Sequence, residues 1–147
     1  NGENSRVEDL KMEQVKFFEP IIIEVLRSRK IFAFPDNWDE GGAKKIDEET
    51  WSRAIAFLSS QALYILSFHG KIIDTPNISP SVDGGIDIHW DFQTYELIIS
   101  IPCIHSSNKA SYYGDNDYGK STKGEFDPYV FQERNFLFDI LNRIGAV

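Results

Sequence analysis

Asp87, His89 and Asp91 alternate along Ile86-Asp87-Ile88-His89-Trp90-Asp91. Alternate residues of a β-strand share a face, so these three polar side chains stand opposite Ile86, Ile88 and Trp90. A second alternating run, Tyr95-Glu96-Leu97-Ile98-Ile99-Ser100-Ile101, follows a short turn at Phe92 to Thr94. If the hairpin pairs Trp90 with Tyr95, Ile88 with Leu97 and Ile86 with Ile99, Glu96 lies across from His89. One imidazole with up to three carboxylates in cross-strand reach can ligate a divalent metal, or pair a general base with an orienting acid. Asp87, His89 and Glu96, with Asp91 beside them, are therefore the candidate centre of a small metal-dependent hydrolase. The competing reading is a solvated sheet face with a His–Glu pair, the ordinary outer side of an antiparallel sheet.

Other chemical templates fail on spacing. Counted from Asp115, Asp115-Asn116-Asp117-Tyr118-Gly119 would need Gly at position six and Glu at twelve to be an EF-hand loop. Lys120 and Phe126 stand there, which leaves a turn rich in Asp, Asn and Gly. The chain has no G-x-x-x-x-G-K-[ST], G-x-G-x-x-G, H-E-x-x-H or G-x-S-x-G. Cys103 and His105, two residues apart, would share a strand face as a nucleophile–base pair. A buried strand cysteine beside a loop histidine is the plainer account. His69, just before Gly70, suits a helix C-terminus.

Composition sets the frame for these groups. The 147 residues are 41% hydrophobic and 14% aromatic, enough for one domain with a full core, residues 1–147, with 1–7 expected to be disordered. Fifteen Lys and Arg against 23 Asp and Glu give a net charge of −8, a poor balance for gripping nucleic acid. The single cysteine excludes an internal disulfide. No apolar run approaches a membrane span and the first residues carry no signal-peptide pattern, so a cytoplasmic location is expected.

The elements that must position the candidates follow from periodicity. Ser5 to Glu8 has the pattern of a capping box, and Leu10, Phe17, Phe18, Ile21, Val25 and Leu26 recur at helical spacing. Phe34 to Lys45 is a loop with Trp38 at its centre. Asp47 is placed to cap a helix on which Trp51, Ala54, Ile55, Leu58, Ala62, Ile65 and Leu66 line one face, with Gly70 as its stop. Pro76, Pro80 and Asp83-Gly84-Gly85 are turn chemistry before the hairpin. Ala110 to Tyr113 is a candidate third strand, and Gly124 to Phe126 can pair behind it. Asp127 and Pro128 start a last helix carrying Val130, Leu137, Leu141 and Ile144. The fold class is α+β: a small antiparallel meander of three to four strands with N-terminal, central and C-terminal helices packed on it.

Two stretches carry a resemblance. Asn37-Trp38-Asp39-Glu40-Gly41-Gly42-Ala43 resembles an N-W-D-x-x-G-A loop. Pro80 followed by Asp83-Gly84-Gly85-Ile86-Asp87-Ile88-His89-Trp90 resembles P-x-x-D-G-G-[IV]-x-[LFI]-x-W leading into a strand. In this order, across a helix, they are similar to a family of small uncharacterised bacterial proteins, over roughly residues 36 to 101. The resemblance implies a bacterial or phage context. His89 departs from the pattern.

Trp38, Trp90, Tyr95, Tyr112, Tyr113 and Tyr118 fall in loops or on strands. Aromatic anchors within an acidic rim suit a protein partner with a basic surface. The chain therefore reads as a non-catalytic acidic binding module without a cofactor. Trp38, Asp83, Gly84, Gly85, Tyr112 and Tyr113 form the expected partner patch, and the hydrolase of Asp87, His89 and Glu96 is the rival.

Overall fold

The computed structural model describes residue 16 and residues 18–128 and 133–147. Helix α1 covers residues 18–28 and runs into a 3-10 turn, Arg29–Ala33. Helix α2 is Glu48–His69. Five strands follow, β1 (Asn77–Pro80), β2 (Ile86–Asp91), β3 (Tyr95–Ile101), β4 (Ala110–Asn116) and β5 (Ser121–Phe126), and then helix α3 (Phe136–Arg143). The strands form one antiparallel sheet in sequence order. This is the α+β fold the periodicity predicts, with five strands rather than three or four. The capping box at Ser5 to Glu8, the expected disorder of 1–7, and Leu10 and Phe17 lie outside the described residues.

The additional strand is β1. Its flanking prolines read as turn residues, yet Asn77, Ile78 and Ser79 pair with His89, Ile88 and Asp87. Pro80 has no N–H to give and is tolerated because β1 is an edge strand. That edge is covered by α1. Glu24 Oε2 accepts the N–H of Ile78 at 2.9 Å, and Arg27 bonds both Glu24 and, at 2.8 Å, Asn77 Oδ1. An occupied edge no longer templates pairing with another chain.

The hairpin register differs from the predicted one by two residues. Trp90 pairs with Leu97, Ile88 with Ile99, and Ile86 with Ile101. Phe92 N–H bonds Tyr95 O at 3.0 Å, so Gln93 and Thr94 alone reverse the chain. The sequence reading places a three-residue turn there, Phe92 to Thr94. Because the shift is even, every side chain keeps its predicted face.

Ile86, Ile88, Trp90, Leu97, Ile99 and Ile101 are at most 1% exposed. They join Ile21 of α1, Ala54, Leu58 and Ile65 of α2, and Leu137, Ile140 and Leu141 of α3 in one core. Each fully buried large side chain contributes about 1.5–3 kcal/mol, so this inner face fixes the sheet against the helices. Asp47 sits at the N-cap of α2 as predicted, but its carboxylate makes no capping bond. The last helix begins at Phe136, eight residues beyond the predicted Pro128; residues 129–132, Val130 among them, lie outside the described residues. Asn135 stands at its N-cap; Asp127 accepts from Asn108 Nδ2 at 3.1 Å, and the turn it is expected to cap runs into residues outside those described. The cap comes from α2: Gln61 Oε1 accepts the N–H of Leu137 at 3.0 Å. Among the described residues, no helix is long and apolar enough to cross a membrane.

Candidate functional site

Strand alternation that buries Ile88, Trp90, Leu97 and Ile99 turns their neighbours to the opposite face. No described helix covers that face. Three cross-strand rows run over it. The first is Ser79, Asp87, Ser100, Ser111 and Glu125; the second is Asn77, His89, Ile98, Tyr113 and Lys123; the third is Asp91, Glu96, Asp115 and Ser121. Ile98 and the 48% exposed Tyr113 are therefore an apolar centre, with acidic side chains on both flanks. On the strands Asp87, Asp91, Glu96, Asp115 and Glu125 make five carboxylates, against Lys123 and the imidazole of His89; Lys109, in the loop before β4, lies 3.9 Å from Glu125. The surface is hollowed. An open depression of about 520 Å³ lies over Ile98, Ser100, Ser111, Tyr113 and Lys123. A polar recess of about 120 Å³ adjoins it between Asp83, Asp87, Ser100, Lys109 and Ser111.

Electrostatics differ along the face. Burial pushes the Asp87 carboxyl above the usual aspartate range, and the charge of Asp83 adds to this, while a hydrogen bond from Ser100 and the nearby His89 act in the opposite direction. The Tyr113 hydroxyl donates to Asp115 Oδ2 at 3.2 Å, which holds its proton more tightly than usual. His89 Nε2 lies 2.8 Å from Glu96 Oε1. The predicted partnership of these two is present, but it is diagonal: Glu96 stands directly across from Asp91, and His89 from Ile98. His89, Asp91 and Glu96 each bring one donor atom within 4.8 Å of the others. Asp91, rather than Asp87, completes this set; Asp87 points into the recess with Asp83.

The expected partner patch is divided by the fold. Trp38 is half-buried against Phe34, and its indole N–H donates to Lys44 O at 3.1 Å. Lys44 N–H in turn bonds Val82 O at 3.0 Å. Thus the Asn37–Ala43 loop docks on the Asp83-Gly84-Gly85 turn, and the two motifs form one structural joint. Gly84 and Gly85 are buried in it, and Asp83 Oδ1 accepts the N–H of Gly85 at 3.1 Å. Tyr112 turns to the helix side and packs on Phe126 and Phe136. Of the patch, Tyr113 stands on the open sheet face and Asp83 at its edge, lining the polar recess. Elsewhere Trp90 is fully buried and donates to Asp74 O, Tyr95 is 6% exposed, and Tyr118 is 90% exposed at a turn.

Cys103 and His105 lie in the loop after β3, not on a strand, and Cys103 is half-buried. Both approach Asp47 Oδ2, at 3.7 and 3.5 Å, and among the described contacts none joins the thiol to the imidazole directly. His69 stacks on Phe138 with centroids 3.7 Å apart and bonds Asn135 at 2.8 Å, a packing role. Sequence reasoning missed Ile98, Asp115, Lys123 and Glu125. The alternation of β3 already puts Ile98 on the face of Glu96 and Ser100, and full-length β4 and β5 add Asp115, Lys123 and Glu125 to it. Comparison with protein-family models, curated proteins and solved structures returns no match for this chain.

Proposed function

We propose that the chain is a non-catalytic binding module whose open sheet face holds a basic segment of a protein partner, in the cytoplasm of a bacterial or phage-infected cell. One observation carries the reading: an exposed tyrosine and an isoleucine sit at the centre of an uncovered, hollowed sheet face whose strands bear five carboxylates against one lysine, with Lys109 at the edge beside Glu125. An aromatic anchor in a shallow hollow supplies contact area at low entropic cost, and a like-signed rim attracts and orients a positively charged segment. The same field repels nucleic acid. Relative to the sequence expectation, the surface moves from the Trp38 and Gly-Gly loops, which brace each other, to the strand face around Tyr113.

The test is an amide-shift titration of the isotope-labelled chain, in chelator, with a twelve-residue Lys/Arg peptide containing one aromatic residue. Shifts should concentrate on β3, β4 and β5. Tyr113→Ala should weaken binding roughly tenfold, and raised salt should weaken it further. Shifts scattered over the helices, or a Tyr113→Ala variant that binds as well as the parent, would overturn the assignment.

A further inference from the structure

We infer that the turn end of the β2–β3 hairpin is a divalent-cation site of the zinc class, held by the imidazole of His89 and one carboxylate oxygen each from Asp91 and Glu96. This goes beyond the binding of a basic segment and does not depend on it. Three donors already stand within 4.8 Å of one another, and the His89–Glu96 pair is at 2.8 Å. Two ligands of a tetrahedral ion with bonds of about 2.1 Å lie about 3.4 Å apart. Closing the set therefore takes rotation of two exposed carboxylates, with no strand movement.

The strands beneath are fixed. Trp90 and Leu97, which alternate with the donors, are fully buried and pair with each other. Such a scaffold presents donors with little ordering cost on binding. Charge supports the same conclusion. Asp91 faces Glu96, and Glu96 faces Asp115, so three carboxylates occupy one row across three strands. Like charges directly opposite each other destabilise a sheet. Among the described ion pairs no Lys or Arg joins any of the three; Glu96 has His89, and Asp115 has the Tyr113 hydroxyl. A cation supplies the compensation this row lacks. One nitrogen with two oxygens favours a borderline ion such as Zn²⁺ over Mg²⁺ or Ca²⁺, which take oxygen shells. Three protein ligands leave a coordination position for water or for a partner's donor group.

The experiment is calorimetric titration of the chelator-stripped full chain with Zn²⁺, Mn²⁺ and Mg²⁺. One Zn²⁺ should bind per chain, more tightly than Mn²⁺ and far more tightly than Mg²⁺. His89→Gln keeps a donor for Glu96 but removes the imidazole, and should weaken Zn²⁺ roughly tenfold or more, as should Glu96→Gln. Cys103→Ser should bind as the parent does, since Cys103 and His105 near Asp47 are the other place a soft ion could go. The inference is overturned by absence of Zn²⁺ binding, by binding that survives His89→Gln and Glu96→Gln, or by binding lost in Cys103→Ser. None of these outcomes bears on the peptide titration, which is run in chelator.

Discussion

The two glycines of Asp83-Gly84-Gly85 serve different geometric needs, and substitution separates them. Gly84 has φ +93°, with Lys44 Cβ and Cys103 Cβ at ordinary contact distance from where a Cβ would stand. Alanine there meets backbone strain, about 1–2 kcal/mol, and little steric conflict. Asparagine tolerates that region better, so Gly84→Asn should recover part of the loss. Gly85 has no such restriction. A Cβ there would lie 2.4 Å from Ile101 O, close to 1 Å inside contact distance, and 3.3 Å from Pro102 Cα. Both atoms belong to backbone fixed by the pairing of Ile86 with Ile101. Gly85→Ala must push β2 from β3, at a cost of about 2–3 kcal/mol, the upper part of the overpacking range. Gly85→Asn should be no better, because the conflict is with Cβ itself. Urea unfolding by tryptophan fluorescence, with equal m-values across variants, reads these differences. A loss below about 0.5 kcal/mol for Gly85→Ala, against the overpacking range, would refute the close-approach account. Rescue by asparagine at Gly85 and not at Gly84 would show the two roles to be reversed.

Three further outcomes follow from individual contacts. The Asp87 carboxyl is raised chiefly by burial, so its charged form disfavours the fold: stability is highest below the usual aspartate pKa and falls as pH rises through the raised one. Asp87→Asn should therefore melt higher than the parent at pH 7, with the gap closing below about pH 3.9 in a thermal scan series. Burial raises Glu24, but hydrogen bonds from Arg27 and from the Ile78 N–H outweigh it and leave the group below the usual glutamate range. Its contribution is thus present above about pH 4.3 and is lost as pH falls through the lowered value; Glu24→Gln should cost about 1 kcal/mol at pH 7 and flatten the acid limb of the stability curve. Gln61→Leu leaves the buried Leu137 N–H without an acceptor and should cost about 1–3 kcal/mol, with faster amide exchange across α3.

What the sequence made legible was periodicity. The apolar stripe of α2, the inner face of β2 and β3, and the α+β order all follow from spacing. The stop at Gly70 follows from turn chemistry. What stayed hidden depended on partners distant in the chain. Asn77 to Ser79 are too few to read as a strand until His89 and Ile88 lie beside them. The register slipped by two because a Gln-Thr turn lacks the Asn-Gly or Asp-Gly chemistry that marks a two-residue loop. Asp47 reads as a cap by position, but its side chain meets Cys103 and His105 from the loop after β3. Tyr112 and Tyr113 were grouped as neighbours, although adjacent strand residues face opposite ways. For the candidate site, parity alone placed Asp87, His89 and Asp91 on one face; that Asp91, not Asp87, joins His89 and Glu96 depends on the register.

The cap that Gln61 provides to α3 has a consequence for the order of assembly. Each strand of the meander pairs with its neighbour in the chain, so the sheet can grow hairpin by hairpin at small loop-closure cost. Helix α3 has only eight residues, too few to persist alone, and its first turn depends on a side chain 76 residues earlier. It is therefore expected to consolidate after α2 has settled on the sheet, with Leu137, Ile140 and Leu141 as the latch that closes the core.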